Sequence, residues 1–176
     1  MKKMVSAILL LLSLITLVFA QENCDLCGTW TTVVHIGNGI AINNKIYVRI
    51  NKYGDSYSVR VKEFYTYEDG STKTYYWQDC VGVNVSENSI QWNNLSHSDS
   101  DWNDSDRRIN GIRIYLAKYY HICSATVSGG VLHFRYTIRG DYYGKSGNII
   151  GNHWNKDYDG NIIWWTYDLF KDDPDW

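Results

Sequence analysis

The sequence has few of the residues that favour helices and no large excess of charge of either sign. Beyond the first twenty residues Ala, Leu and Glu are scarce, and no long stretch repeats its apolar residues with a helical period, so helices are not expected. The 17 basic and 19 acidic residues give a formal net charge of −2, which excludes a generally basic nucleic-acid-binding protein. The chain has one Pro and no linker or low-complexity tract, and its 176 residues are too few for two comfortable domains.

The local motifs of common catalytic and metal sites are also missing. The chain has no Gly-x-Ser-x-Gly elbow, no His-Glu-x-x-His and no phosphate-binding loop. Its histidines show no ligand spacing, and we interpret His121 with Cys123 as an ordinary surface pattern of a strand. The acidic stretch 99–106 resembles a calcium loop, but Asp104 stands where a Gly is expected and Asn110 where a bidentate Glu is expected. We therefore expect a solvated loop there, with no metal, no cofactor and no catalytic residues.

The first twenty residues have the pattern of a secretory signal peptide. Lys2 and Lys3 precede an apolar run over residues 7–19, which is shorter than the roughly 20 residues that a membrane-spanning helix needs. A retained membrane anchor is the alternative. We predict cleavage near Ala20, which leaves one domain over 21–176 in the periplasm or outside the cell. Because the two lysines are lost, this domain carries 15 basic and 19 acidic residues, a formal net charge of −4.

Aromatic residues with a polar group are abundant, as are β-branched residues. The chain contains 8 Trp and 15 Tyr against 4 Phe, and turn signals recur between short segments rich in Val, Ile, Thr, Tyr and Trp. Apolar and polar residues alternate within these segments, which is typical of antiparallel strands with one packed face and one wet face. We predict eight strands, at 29–35, 45–52, 56–67, 71–84, 89–95, 109–126, 131–140 and 161–170. The sixth is long enough to contain a bulge or to be two strands.

Eight consecutive strands joined by short turns predict an all-β fold, a single antiparallel up-and-down meander barrel. Closure into a barrel removes the exposed strand edges that otherwise invite aggregation. A barrel of this size is wide enough to hold either side chains or one small ligand. A two-sheet β-sandwich is the alternative architecture.

The alternation divides the aromatic residues between the two faces of the predicted strands. The inward set, which comprises our candidate ligand-binding residues, is Tyr57, Tyr75, Trp77, Trp92, Tyr136, Trp165 and Tyr167. These rings either fill the core or line a cavity in which a flat or sugar-like ligand would stack and receive hydrogen bonds. The outward set is Tyr47, Tyr115, Tyr142, Tyr143 and Trp164, which would form a surface patch for a glycan or a partner protein.

The first predicted strand opens with Gly28-Thr29-Trp30, and here the chain resembles the calycin group, which comprises lipocalins, fatty-acid-binding proteins and avidins. Barrels of that group commonly begin with Gly-x-Trp. The resemblance implies a calycin-like barrel with a ligand cavity, in which Trp30 is a structural plug at the closed end and Gly28 is the hinge beneath it. The connection after strand one is too short for the helical lid of fatty-acid-binding proteins. The helix-free outline is therefore closest to avidins, and no ligand residue is carried over.

Four cysteines, Cys24, Cys27, Cys80 and Cys123, are an even number, which in an exported protein favours disulfides. The sequence leaves three connectivities open. A bridge from the N-terminal pair to Cys80 or Cys123 would fasten the leading segment to the barrel. Cys24-x-x-Cys27 also fits half of a zinc site or a redox pair, but no second close pair follows and the motif precedes a strand rather than a helix.

Three functions remain open at this point. The leading hypothesis is an exported, lipocalin-like binding protein that holds a small hydrophobic or amphipathic molecule in an aromatic-lined barrel, and that is not an enzyme. The second is a carbohydrate- or protein-binding module that uses the outward aromatic residues. The third is a hydrolase with an unrecognised site. We expect a small-molecule partner, no nucleic acid and no membrane span, and the oligomeric state stays open.

Overall fold

The computed structural model describes residues 24–35, 41–99 and 107–172, and in these ranges the chain forms strands and turns without helices. The predicted signal peptide at 1–20 and most of the acidic loop, residues 100–106, lie outside the described residues. The strands are β1 (Gly28–His35), β2 (Ala41–Tyr53), β3 (Ser56–Tyr67), β4 (Thr72–Tyr76), β5 (Gln78–Ser86), β6 (Ser89–Asp99), β7 (Arg108–Ile109), β8 (Ile112–Arg113), β9 (Leu116–Ser128), β10 (Val131–Tyr143), β11 (Ile149–Trp154) and β12 (Trp165–Asp172). The described chain contains no helix that is long and apolar enough to cross a membrane.

Ten of these strands form one antiparallel sheet that curls into a half-barrel. The order across the sheet is β4, β3, β2, β1, β12, β10, β9, β6 and β5, and β11 adds to the second half of β10 beside β12. The first and last strands are neighbours, with Trp30 paired to Lys171. The expected all-β, antiparallel architecture is therefore confirmed, and the chain meanders outward in both directions from the β1–β12 pair.

The number and bounds of the strands differ from the prediction of eight. The segment expected at 71–84 is divided at Trp77 into β4, which pairs with β3, and β5, which pairs with β6. The segment expected at 109–126 is a short β7–β8 hairpin followed by β9. Asn110 and Gly111 both have positive φ angles, of 50° and 79°, as the Asn-Gly turn of a tight hairpin requires. Strand β11 has no counterpart among the eight predicted strands.

The apolar core fills one end of the curled sheet. It is built by the inward positions of β1, β2, β3, β6, β10 and β12, whose side chains alternate with exposed ones as the period of two requires. The largest fully buried side chains of this core are Trp30, Trp92, Phe134, Leu26, Ile46, Ile50, Ile90, Leu132 and Leu169. Burying such side chains contributes about 1.5–3 kcal/mol each, so this end of the molecule carries most of the hydrophobic stabilisation.

A small disulfide loop closes the apolar end. Cys24 and Cys27 are bonded to each other, and the loop between them inserts Leu26, which is 2% exposed, into the core. The indole N–H of the fully buried Trp30 donates a hydrogen bond to the Leu26 carbonyl oxygen at 2.9 Å. Gly28 has a φ of 119°, a conformation that residues with a Cβ rarely adopt, so it allows the chain to turn from the loop into β1.

The disulfide pattern corrects one expectation from the sequence. Cys80 and Cys123 are free thiols, so no bridge ties the N-terminal pair to the sheet. Cys80 lies on β5 and Cys123 on β9, with β6 paired between these two strands. Burial raises the pKa of both thiols. The short Cys24-x-x-Cys27 spacing closes locally instead, and the leading segment is held by Leu26 and Trp30 rather than by a long-range bridge.

Candidate functional site

The inward face of the sheet changes from apolar to polar along its strands. On β3 the buried Val59 and Val61 are followed at the next inward position by Glu63 and then by Tyr65. The other central strands change in the same way at the same end of the sheet. The inward polar side chains, which we call the polar layer, are Glu63 and Tyr65 on β3, Asn94 on β6, His121 on β9, Tyr136 on β10 and Tyr167 on β12.

A pocket of about 430 Å³ opens beside the polar layer, and we call it the aromatic pocket. Its lining includes Glu63 and His121, and most of its remaining wall is aromatic. The aromatic lining residues are Tyr65, Tyr67, Tyr75, Tyr76, Trp77 and Tyr136. The strands β3, β4, β9 and β10 supply these side chains together with Trp77, so distant parts of the sequence meet because the sheet curls. A volume of this size suits a small organic molecule.

Glu63 is the charged group of the aromatic pocket. It is 9% exposed, and its carboxylate accepts hydrogen bonds from the Tyr65 hydroxyl at 2.6 Å and from the Trp77 indole. Burial raises the pKa of Glu63 above its usual range, while these two hydrogen bonds act in the opposite direction because they favour the ionised carboxylate. Burial and the bond to Glu63 also raise the pKa of Tyr65, so Tyr65 remains a protonated donor at neutral pH.

Stacked rings make one wall of the aromatic pocket. Trp77 lies face to face with His121, with ring centroids 3.9 Å apart, and meets the edge of Tyr136 at 5.0 Å. Behind Tyr136, Trp165 stacks at 5.1 Å and Tyr167 at 6.2 Å. Aromatic pairs in these arrangements contribute about 0.5–1.5 kcal/mol beyond the area they bury. The wall is therefore held in place by its own contacts.

The seven candidate ligand-binding residues from the sequence fall into four places. Tyr75, Trp77 and Tyr136 line the aromatic pocket, and Trp165 and Tyr167 stack behind it. The remaining two, Trp92 and Tyr57, do not line this pocket, although Trp92 is joined to its wall through Phe134, whose ring lies 6.2 Å from Trp77. The alternation of the strands thus identifies five rings that line the aromatic pocket or lie directly behind it. Ring contacts through Tyr136 link Trp77, Trp165 and Tyr167, whereas Tyr75 contacts Tyr65.

Trp92 belongs to the apolar core. Its ring is 1% exposed and stacks on Phe134 with centroids 5.6 Å apart. Its indole N–H donates to the Oδ1 of Asn94 at 2.6 Å, and Asn94 is itself buried. This pair satisfies a buried indole at the boundary between the core and the polar layer, so Trp92 supports the site from beneath.

Tyr57 lies at the opposite end of β3, where it lines a second pocket of about 540 Å³ with Lys52 and Asp55. Lys52 Nζ lies 6.0 Å from the centre of the Tyr57 ring. This second pocket is the larger of the two, but residues with exposed side chains, among them Asp55, Ser56 and Asn84, form much of its lining. It holds no buried charge, and we therefore regard the aromatic pocket as the candidate site.

Three residues of the polar layer are not among the candidates that the sequence provides: Glu63, Tyr65 and His121. The signal for the first two was present, because continuing the alternation of Tyr57, Val59 and Val61 by two and four residues reaches them. His121 was interpreted as part of a surface pattern, whereas its neighbour at the next inward position, Cys123, is 3% exposed and His121 packs on Trp77. Ring stacking between Trp77 and a residue of β9 has no signature in a single sequence.

The site has the chemistry of recognition by hydrogen bonds and ring faces. No group of three or more His, Cys, Asp or Glu side chains that could hold a metal ion occurs in the described part of the chain. The groups that a bound molecule would meet are a carboxylate, protonated tyrosine hydroxyls, and the faces and edges of aromatic rings. Burial also raises the pKa of Tyr136 and Tyr167, so both hydroxyls stay neutral at physiological pH.

The structure shows a curled, antiparallel all-β sheet, which is compatible with a barrel fold. Comparison of the chain with protein-family models, with curated proteins and with solved structures finds no match in any of the three.

Proposed function

We propose that this chain is an exported binding protein that holds a small, amphipathic molecule in the aromatic pocket of a calycin-like barrel. The observation that carries the proposal is the polar layer around Glu63. If the inward face of the sheet served only as a hydrophobic core, we would expect apolar side chains along its whole length. Burying a carboxylate costs free energy that apolar packing does not. Here the inward face instead offers a carboxylate and a wall of rings beside an open pocket.

Two features of the chain support closure of the half-barrel. The first strand, β1, is paired with the last strand, β12. Trp77 lies between β4, which pairs with β3, and β5, which pairs with β6. The Trp77 amide donates to the Val61 carbonyl oxygen at 3.0 Å, so the chain leaves the edge of β3 only after this point and then joins the far edge of the sheet. In the proposed barrel, this crossing would bring the two edges together next to the aromatic pocket.

Export is supported by the leader and by the disulfide. Residues 1–20 have the composition of a signal peptide, and the bonded pair Cys24 and Cys27 follows directly after the proposed cleavage near Ala20. Disulfides persist in oxidising compartments such as the periplasm and the extracellular space. Secretion or periplasmic location is therefore part of the proposal.

The outward aromatic residues are less suited to a carbohydrate surface. Lys45 and Lys62 lie over the ring of Tyr47 at 5.0 Å and 4.5 Å, and Arg135 lies over Trp164 at 4.7 Å. A sugar that stacked on these faces would have to displace a cation that already interacts with the ring. In the aromatic pocket, a cation lies over Tyr75 at the rim, and the ligand would use the rings of Trp77 and Tyr136 instead.

A hydrolase is also less well supported. Among the residues that line the aromatic pocket in the described chain, Glu63 is the only carboxylate. Hydrolysis of glycosides commonly uses two carboxyl groups placed on either side of the bond that is cleaved. One carboxylate that accepts two hydrogen bonds from aromatic side chains is better suited to holding a ligand than to transferring protons.

Intrinsic tryptophan fluorescence of the secreted protein tests the proposal, because Trp77 lies in the wall of the aromatic pocket. We expect at least one member of a panel of neutral, cationic and anionic aromatic molecules to change the emission in a saturable manner. Trp77→Phe should remove most of this change, since the reporting indole and its contact are lost. The matched control is Trp164→Phe on the outer face, which should retain the change. Failure of every ligand to bind, or an identical response from Trp77→Phe, would contradict the proposal.

A further inference from the structure

Among the described residues, no Lys or Arg balances the charge that Glu63 carries when it is ionised. In the ranges that the structure describes, Glu63 accepts hydrogen bonds from two neutral donors, Tyr65 and Trp77, and forms no ion pair with Lys or Arg. A carboxylate has about four sites at which it can accept a hydrogen bond, so further donors fit. A buried carboxylate without a positive partner is costly, and a cationic ligand would offset that cost.

Lys73 interacts with aromatic rings at the rim of the aromatic pocket. Lys73 is exposed on β4, and its Nζ lies 4.6 Å from the centre of the Tyr75 ring. Its interactions are with the hydroxyls of Tyr75 and Tyr67, and Glu63 is not among its partners. The described lining of the pocket thus combines the Glu63 carboxyl group with tyrosine and tryptophan rings and the His121 imidazole, and it includes no Lys or Arg.

Aromatic rings around a carboxylate favour one charge type of ligand. The faces of Trp and Tyr rings carry partial negative charge and attract ammonium groups, and Trp77, Tyr65 and Tyr136 all belong to the pocket wall. A fatty acid or another anion would meet the Glu63 carboxylate and be repelled. A neutral ligand would receive hydrogen bonds but would leave the charge of Glu63 unbalanced.

We infer that the aromatic pocket selects small organic cations, in which a protonated amine sits against Glu63 and an aromatic or apolar body lies against Trp77 and Tyr136. The inference rests on the proposed function and specifies its ligand class. It follows from the juxtaposition of one buried carboxylate, several ring faces and a cavity of about 430 Å³. The ammonium group and the flat body of such a ligand match the two kinds of surface that the pocket offers.

Isothermal titration calorimetry with three probes of similar shape separates the charge types. Phenethylamine is cationic at neutral pH, phenethyl alcohol is neutral and hydrocinnamate is anionic. For the full-length mature chain we expect the amine to bind about tenfold more tightly than the alcohol, and the acid to bind most weakly, because ring faces and a carboxylate both favour the cation. Glu63→Gln should make the amine and the alcohol bind equally.

The controls distinguish this inference from the proposed function. Glu68→Gln changes an exposed turn carboxylate and should keep the preference for the amine. Tyr65→Phe removes one hydrogen bond to Glu63 and should weaken amine binding without abolishing it, which keeps the test valid if Glu63→Gln does not fold. Equal binding of amine and alcohol by the unchanged protein, or an amine preference that survives Glu63→Gln, would refute the ligand class but leave small-molecule binding intact. Absence of binding by all three probes would contradict both.

Discussion

Glu63 stands where the inward face of β3 turns polar, and its burial makes folding stability depend on pH. Burial raises the pKa of Glu63 in the folded protein. A carboxyl group whose pKa is higher in the folded protein than in the unfolded chain contributes to stability below its unfolded pKa, where it is protonated in both. That contribution is lost as the pH rises through the pKa of the folded protein, because the buried group then becomes charged. Ionisation of Glu63 therefore opposes folding at neutral pH, and the two hydrogen bonds from Tyr65 and Trp77 reduce that opposition.

We expect the wild type to lose stability relative to Glu63→Gln as the pH rises from about 4 to about 8. The amide cannot ionise, so the variant is free of the desolvation cost that the carboxylate meets. The measurement is the difference in melting temperature between the two proteins across this range, with exposed Glu68→Gln as the control that shows no such trend. A difference that stays constant, or that moves in favour of the wild type, would show that the carboxylate is better stabilised in the folded state than its burial implies.

The sequence contains enough information to find Glu63 as an inward residue. Period-two alternation places every second residue of β3 on one face, so Tyr57, Val59 and Val61 lead directly to Glu63. The role of Trp92 could not be predicted in this way, because an inward indole fits a core and a cavity equally. Only the contact with Phe134 and the hydrogen bond to Asn94 assign Trp92 to the core.

At the scale of elements, the disulfide loop and β1 act together to close the apolar end. Leu26 fills the core and accepts the hydrogen bond from Trp30, and the Cys27 amide donates to the Cys24 carbonyl oxygen at 2.9 Å. The sequence could not determine this pairing, because four cysteines allow three connectivities. A bond between neighbours in sequence constrains the unfolded chain less than a long-range bridge would.

Replacing both Cys24 and Cys27 with Ser should lower the free energy of unfolding by about 2 kcal/mol, as expected for a short closed loop. Chemical denaturation of the oxidised protein, with and without a reductant, measures this quantity. The reductant should destabilise the wild type to the same extent and leave the double variant unchanged, since Cys80 and Cys123 are free thiols. A reductant effect on the double variant would reveal a second disulfide and contradict the assigned pairing.

The Asn110-Gly111 turn explains why the bounds of the sixth predicted strand differ from those in the structure. Alternating residues continue beyond Gly111, so the pattern predicts a long sixth segment over 109–126 that contains a bulge or is two strands. The positive φ angles of Asn110 and Gly111 form a hairpin inside that range instead, and Asn-Gly is a strong local hairpin signal. Strand β11 is short and pairs only with β10 among the described strands, so its formation depends on a tertiary neighbour that the local pattern does not reveal.

At the scale of the molecule, the curled sheet divides stability and recognition between its two ends. The disulfide loop and the apolar core occupy one end, and the aromatic pocket with Glu63 occupies the other. The all-β class and the antiparallel meander follow from alternation and turn spacing alone. Which inward aromatics meet one another depends on the register between distant strands, such as Tyr136 opposite Cys123, and so required the structure.

A crystal structure of the mature protein grown with phenethylamine tests the central claim most directly. We expect the amine nitrogen to lie about 3 Å from a carboxylate oxygen of Glu63, at hydrogen-bond distance, with its ring against Trp77 and Tyr136. The same crystals grown without the amine should keep the pocket open and Trp77 stacked on His121. A pocket that is filled by its own side chains, or an amine bound away from Glu63, would contradict the account.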